Sequence, residues 1–148
     1  MRLWIIIASI SGFIAVAIGA MGAHTLKPLM TPEGLANFQT TSEYHMYHSL
    51  ALIGCGLLHP HFNNHKFLKY AGITFCIGII LFSGNLYWLA ITGSTPFHYL
   101  IPVGGAFFLL GWIFMGWSTY YSHLKTRERQ LIKIKTYKND PGGIMCEM

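Results

Sequence analysis

The chain has 148 residues, 53% of them apolar and only 10% charged. A soluble domain carries about 25% charged residues, so a soluble globular fold is excluded, and the apolar content excludes disorder. The net charge of +5 belongs to the C-terminus: nine of the fifteen charges follow Leu124.

Leu3 to Ala23 contains no charge over 21 residues. A spanning helix needs about 20. A secretory leader is the rival, because small residues close the run. The apolar stretch is longer than the ~7–15 residues such a leader carries, and Met1-Arg2 is a slight charged start. The first span is therefore expected over residues 3–23.

Thr31-Pro32-Glu33 is a helix start: a capping hydroxyl, proline at the first helical position and an acid in the first turn. The apolar stretch that follows, residues 44–58, is short for a span. An interfacial helix from Pro32, entering the membrane near Tyr44 and ending at His59-Pro60, is expected. Tyr70 to Leu124 holds 55 residues without Asp, Glu, Lys or Arg, divided by the turn signal Thr92-Gly93-Ser94-Thr95-Pro96. Spans three and four are expected over 69–91 and 99–121, with Pro102 in the first turn of the fourth.

With the N-terminus inside, the inner segments hold Arg2, Lys66, Lys69 and the six basic tail residues, Lys125, Arg127, Arg129, Lys133, Lys135 and Lys138. The outer segments hold Lys27 alone. The positive-inside rule then gives four spans with both termini cytoplasmic. Tyr44, Tyr47, Trp88, Tyr99, Trp117, Tyr120 and Tyr121 fall near span ends, as an aromatic belt does. The fold class is thus all-α, an integral-membrane four-helix bundle over 1–124 followed by a basic cytoplasmic tail over 125–148. The tail suits anionic headgroups; no recognition motif points to nucleic acid.

Lipid gives helices no hydrophobic reason to associate, so small residues that permit close approach matter. Ser11, Ala15, Gly19 and Ala23 recur at intervals of four on helix one, and Gly104 and Gly105 lie on helix four. These suit packing within the bundle, or a dimer interface. Cys55 and Cys76 sit in apolar runs as small core residues; with Cys146 they form no disulfide framework.

Four segments occur in a recognisable order: Gly19 through His24 to Lys27; Glu43 through Tyr44 and His48 to Leu52; Leu81 through Asn85 to Tyr87; and Pro102 to Gly105 with Gly111-Trp112. Together they resemble domain-of-unknown-function family 423, over about residues 3 to 120. The resemblance implies a four-span bacterial inner-membrane protein and supplies no activity, substrate or catalytic residue. The family pattern carries a basic residue where this chain has Glu43.

The topology gathers polar groups at the outer ends of the spans: His24, Lys27, Glu43, Tyr44, His48, Ser83, Asn85 and Tyr87. Ionisable groups inside a membrane are functional candidates. Each also has a structural reading. Ser83 and Asn85 serve as interhelical glue, Tyr44 as a belt residue, His48 as a neutral ring bonded to a carbonyl or to Asn85, and His24 and Lys27 as headgroup contacts. At about 100° per residue, Ser83 and Tyr87 share a face while Asn85 lies about 200° from Ser83. A regular helix therefore keeps the set from lining one small pocket, unless Gly84 distorts it. The functional reading is an outward site for a small polar or anionic ligand, with His48 and His24 changing protonation near neutral pH.

A metal site needs three or four converging ligands. His45 and His48, with His24, and the loop cluster His59, His61 and His65 are the candidate groups; neither has a recognised frame, and no metal or other cofactor is expected. Ser49 adjoins His48, but helix neighbours point about 100° apart, and no nucleophile elbow or phosphate loop is present. The function expected is non-enzymatic, through helix packing, oligomerisation or a membrane partner complex. The alternative is a small carrier or channel for an ion or polar solute.

Overall fold

The computed structural model describes residues 2–59 and 66–139, with side chains as far as residue 135. His61, His65 and Cys146 lie outside the described residues. Every regular element among those described is helical: α1 (Arg2–Met21), α2 (Pro32–Leu58), α3 (Lys66–Gly78), α4 (Asn85–Thr92) and α5 (Leu100–Asn139). A π-helical segment, Ile79–Gly84, joins α3 to α4 as one rod. A second, Gly22–Leu26, leads from α1 into the 3-10 turn Lys27–Leu29. Three runs are long and apolar enough to cross a membrane: Arg2–Leu29, Lys66–Thr92 and Leu100–Lys135.

α2 is the long helix outside that set. Thr31 caps it, its Oγ1 accepting from the Gly34 N–H at 3.0 Å, with Pro32 in the first turn. The expected interfacial lead-in and the short apolar stretch form one unbroken helix of 27 residues, about 40 Å long. No glycine or proline stands between Gly34 and Gly54 to separate them.

The other ends follow local chemistry. Gly93 closes α4 in the left-handed region, at φ 74°, and its N–H bonds the Leu89 carbonyl at 2.9 Å. A residue without a Cβ adopts that geometry at no steric cost. α5 runs on past the expected span end near Tyr121 and past the tail boundary at Leu124, to Asn139. No proline follows Pro102 until Pro141.

α2 packs against α1, α3, the Ile79–Gly84 segment and α4, while α5 lies on α3 and the same segment. The main core joins Trp4 and Ala8 of α1, Leu52 and Cys55 of α2, Leu68 and Phe75 of α3 and Phe108 of α5. A smaller cluster joins Phe38, Tyr87 and Ala90. Large apolar residues cover the outside, among them Phe13, Val16, Trp88 and Ile113, as a lipid-facing surface requires.

Ala8, Ala15 and Gly22 of the first helical run are buried, and Ser11 and Gly19 are half-buried. Ala23 is exposed. Steps of four residues advance 400°, so a ridge built on them drifts about 40° per step. From Ser11 to Ala23 that amounts to about 120°, and Gly22 takes the inward place. A Cβ on Gly22 would meet the Phe38 ring.

Gly104 marks a close helix crossing. A Cβ there would fall on the backbone of Leu81 and Phe82, whereas one on Gly105 would meet the Phe82 ring at ordinary contact, 3.9 Å. Gly104→Ala is therefore expected to destabilise the bundle by about 1–3 kcal/mol, because backbone has to move. Gly105→Ala is expected to stay near wild type. Thermal unfolding of the two variants in one detergent checks the contrast.

Candidate functional site

His45 sits where three helices meet. Its Nε2 lies 3.1 Å from Ser11 Oγ of α1, and its Nδ1 lies 3.5 Å from the Tyr87 hydroxyl of α4. Ser11 Oγ is 2.7 Å from Ser49 Oγ, and Ser49 Oγ donates to the His45 carbonyl at 2.8 Å. The donor inventory gives one direction of this chain that satisfies every group. A carbonyl only accepts, so the one proton of Ser49 goes there. Ser11 then donates to Ser49, and its oxygen accepts from His45 Nε2–H. His45 Nδ1 is left to accept from Tyr87. All four side chains are satisfied by a neutral imidazole.

His48, one turn along α2, faces α5 and has its own closed set. Its Nδ1 lies 2.7 Å from the Tyr44 carbonyl, and the Trp112 indole donates to Nε2 at 3.3 Å. The first contact places the proton on Nδ1; the second uses the lone pair of Nε2. The ring also stacks on Phe108, with centroids 3.5 Å apart and planes 8° from parallel. A second proton on this ring would set N–H against N–H. The arrangement clamps α2 to α5.

The remaining polar candidates do not converge. Ser83 and Tyr87 line a groove between α1 and the Cys76–Tyr87 stretch, about 520 Å³ in volume. Tyr44 and His48 line another, about 540 Å³, between α2 and α5. Asn85 Nδ2 donates to the Leu81 carbonyl of its own helix at 2.7 Å. Its backbone N–H has turned to Phe82 O, so the side chain serves the carbonyl that N–H would reach in a regular helix. Glu43, His24 and Lys27 are exposed.

The ring nitrogens of His45 and His48 are engaged with hydroxyls, a carbonyl and an indole, which leaves the pair no free donor for a metal. Among the described residues no group of three or more His, Cys, Asp or Glu is placed to hold one.

Sequence reasoning placed Ser11 in a packing ridge, His45 in a metal pair and Ser49 as a nucleophile candidate. It did not foresee that they join in one network with Tyr87. The available signal was Ser11 itself, a hydroxyl in the middle of an apolar run, together with the i, i+4 pair His45 and Ser49.

A family model described as "Protein of unknown function (DUF423)" matches residues 18–105. The "UPF0382 membrane protein" of Haemophilus influenzae is 34% identical over 119 residues, 80% of this chain and 94% of that protein. The "UPF0382 inner membrane protein YgdD" of Escherichia coli K12 is 39% identical over 114 residues, 77% of this chain and 86% of that protein. The "UPF0382 membrane protein YwdK" of Bacillus subtilis is 35% identical over 113 residues, 76% of this chain and 92% of that protein. No solved structure matches the chain significantly.

The His45 network joins α1, α2 and α4, so its loss is expected to be cooperative. In a double-mutant cycle on Ser11→Ala and His45→Ala, the coupling should be about 0.6 kcal/mol and no more than about 2. Reversible unfolding in mixed micelles measures it; strictly additive losses would dissolve the network.

Proposed function

The chain belongs to the DUF423 family, and we propose that it is a non-enzymatic protein of four spans, both termini cytoplasmic, that acts through helix packing or a membrane partner complex. It is an integral, multi-pass protein of the bacterial inner membrane. The direction of the Ser11–His45 hydrogen bond carries the non-enzymatic reading. A serine nucleophile needs a histidine positioned to take its proton, and in the assignment that satisfies every partner the ring donates to the serine. With the Ser49 proton on the His45 carbonyl, Ser11 is the donor to Ser49.

Support for α2 as the fourth span comes from its length and from His45, His48 and Ser49, whose polar groups are satisfied inside the protein. Four spans also put Lys66, Lys69 and the basic tail on one side, in keeping with the positive-inside rule. The carrier reading loses support, since Tyr44 and His48 line a different groove from Ser83 and Tyr87. Tags at both termini are expected to resist external protease in intact spheroplasts and to be cleaved after permeabilisation. Cleavage of one tag before permeabilisation would replace this topology.

The first turns of the basic tail, from Lys125 to Arg129, are proposed to lie at anionic headgroups. Lys125 already lies over the Tyr121 ring, 5.8 Å from its centroid. Neutralising Lys125, Arg127 and Arg129 is expected to abolish enrichment of phosphatidylglycerol around the protein in mixed-lipid nanodiscs. The difference should shrink above ~0.15 M salt, where the Debye length falls below ~8 Å. Equal enrichment in the variant would reject the contact.

A further inference from the structure

The groove beside α1 opens sideways, toward where lipid would lie. α1 packs mainly on α2. Near its start Trp4 covers Gly72 of α3; further along, the groove separates α1 from the Ile79–Gly84 segment. Isoleucines form both walls, Ile10 and Ile14 on one side, Ile79 and Ile80 on the other. The polar knot of Ser11, His45 and Tyr87 lies at its base. Its volume, about 520 Å³, is in the ~300–1,000 Å³ range of small-molecule sites.

Ser83 distinguishes this groove from a crevice that any lipid tail would fill. It lines the groove, is 1% exposed, and its hydroxyl has no hydrogen-bond partner. Thr41, Ser49 and Thr74 bond the carbonyl four residues back, those of Asn37, His45 and Tyr70; Ser118 of α5 shares the unpaired state but lines no such groove. The carbonyl four back from Ser83 belongs to Ile79, inside the π-helical segment, and that bond is not made. A buried donor left unpaired costs about 1–3 kcal/mol, and π-helical turns are frequent at functional sites.

We infer that this groove binds an uncharged single-chain lipid whose oxygen-bearing head accepts a hydrogen bond from Ser83. The chain would lie between the isoleucine walls. The head is uncharged because no Asp, Glu, Lys or Arg lines the groove, and a carboxylate or phosphate buried there would lack a counter-ion. The inference needs the protein to lie in the bilayer and does not depend on the number of spans.

The test uses the full chain in nanodiscs and a sixteen-carbon alcohol carrying a photoreactive diazirine. Labelling is expected on Ile10, Ile14, Ile79 and Ile80. Unlabelled hexadecanol should compete; hexadecanoate should compete far less. Ser83→Ala should weaken binding about three- to tenfold. The same variant should raise the melting temperature of the empty protein, because it removes an unpaired donor; a purely structural serine would lower it.

Gly84→Phe is the second variant. A Cβ at Gly84 meets nothing within 4 Å, so the protein should fold with its groove filled and its labelling lost. Labelling unchanged by both variants would overturn the proposal, and so would equal competition by hexadecanoate. A wild-type dimer that Gly84→Phe dissociates would give the groove to a second copy and overturn it as well.

Discussion

A polar side chain facing lipid finds neither water nor a hydrogen-bond partner, so a membrane helix has to hide what it carries. α2, which we propose as the fourth span, buries the most polar side chains among the described residues. Between Thr41 and Ser49 it holds two histidines, two serines and a threonine. Thr41, His45, His48 and Ser49 are all buried. The cost of exposing them places α2 where other helices can surround it. Ser11 arrives from α1, Tyr87 from α4 and Trp112 from α5. The order of the bundle follows from that need more than from any apolar stripe, since each of the other long runs is apolar enough to face lipid on most of its surface.

The two histidines show how completely a neighbour decides a side chain's role. They lie one turn apart on the same helix and both are neutral rings with two partners. His45 carries its proton on Nε2, because Ser49 has spent its own on a carbonyl. His48 carries it on Nδ1, because its own i−4 carbonyl lies there. The His45 ring ties α2 to α1 and α4, and the His48 ring ties α2 to α5. Ser83 has no such partner: it lies in the π-helical segment, and its hydroxyl makes no bond to the Ile79 carbonyl four residues back.

Much of the fold was legible. The charge-free runs marked α1, the α3–α4 rod and the first half of α5, and Thr31-Pro32 and Gly93 marked two ends correctly, because capping and left-handed geometry are local chemistry. Family and membrane location were legible from four ordered segments. The site was not, because its content is non-local. Which helix faces His45 and which faces His48 depends on packing that spacing does not encode. Ala23 fell outside the ridge because intervals of four drift around a helix. The π-helical segment was invisible as well: Ile79 to Gly84 is an ordinary apolar stretch with a glycine, and the distortion precedes Gly84 instead of starting there. The helical continuation of the tail followed from the lack of a stop signal before Pro141, which the expected boundary at Leu124 did not weigh.

α5 has a consequence of its own. Its 40 residues make a rod about 60 Å long, and the hydrocarbon layer occupies only about 30 Å. On a course along the bilayer normal, with Leu100 at one edge of that layer, Lys125 and its near neighbours stand at the opposite headgroups. Lys133 and Lys135 stand about 20 Å beyond the hydrocarbon, outside the ~8 Å over which charge is felt in physiological salt. One rigid element thus presents two populations of positive charge at fixed heights, the nearer read by lipid and the farther by whatever approaches through water.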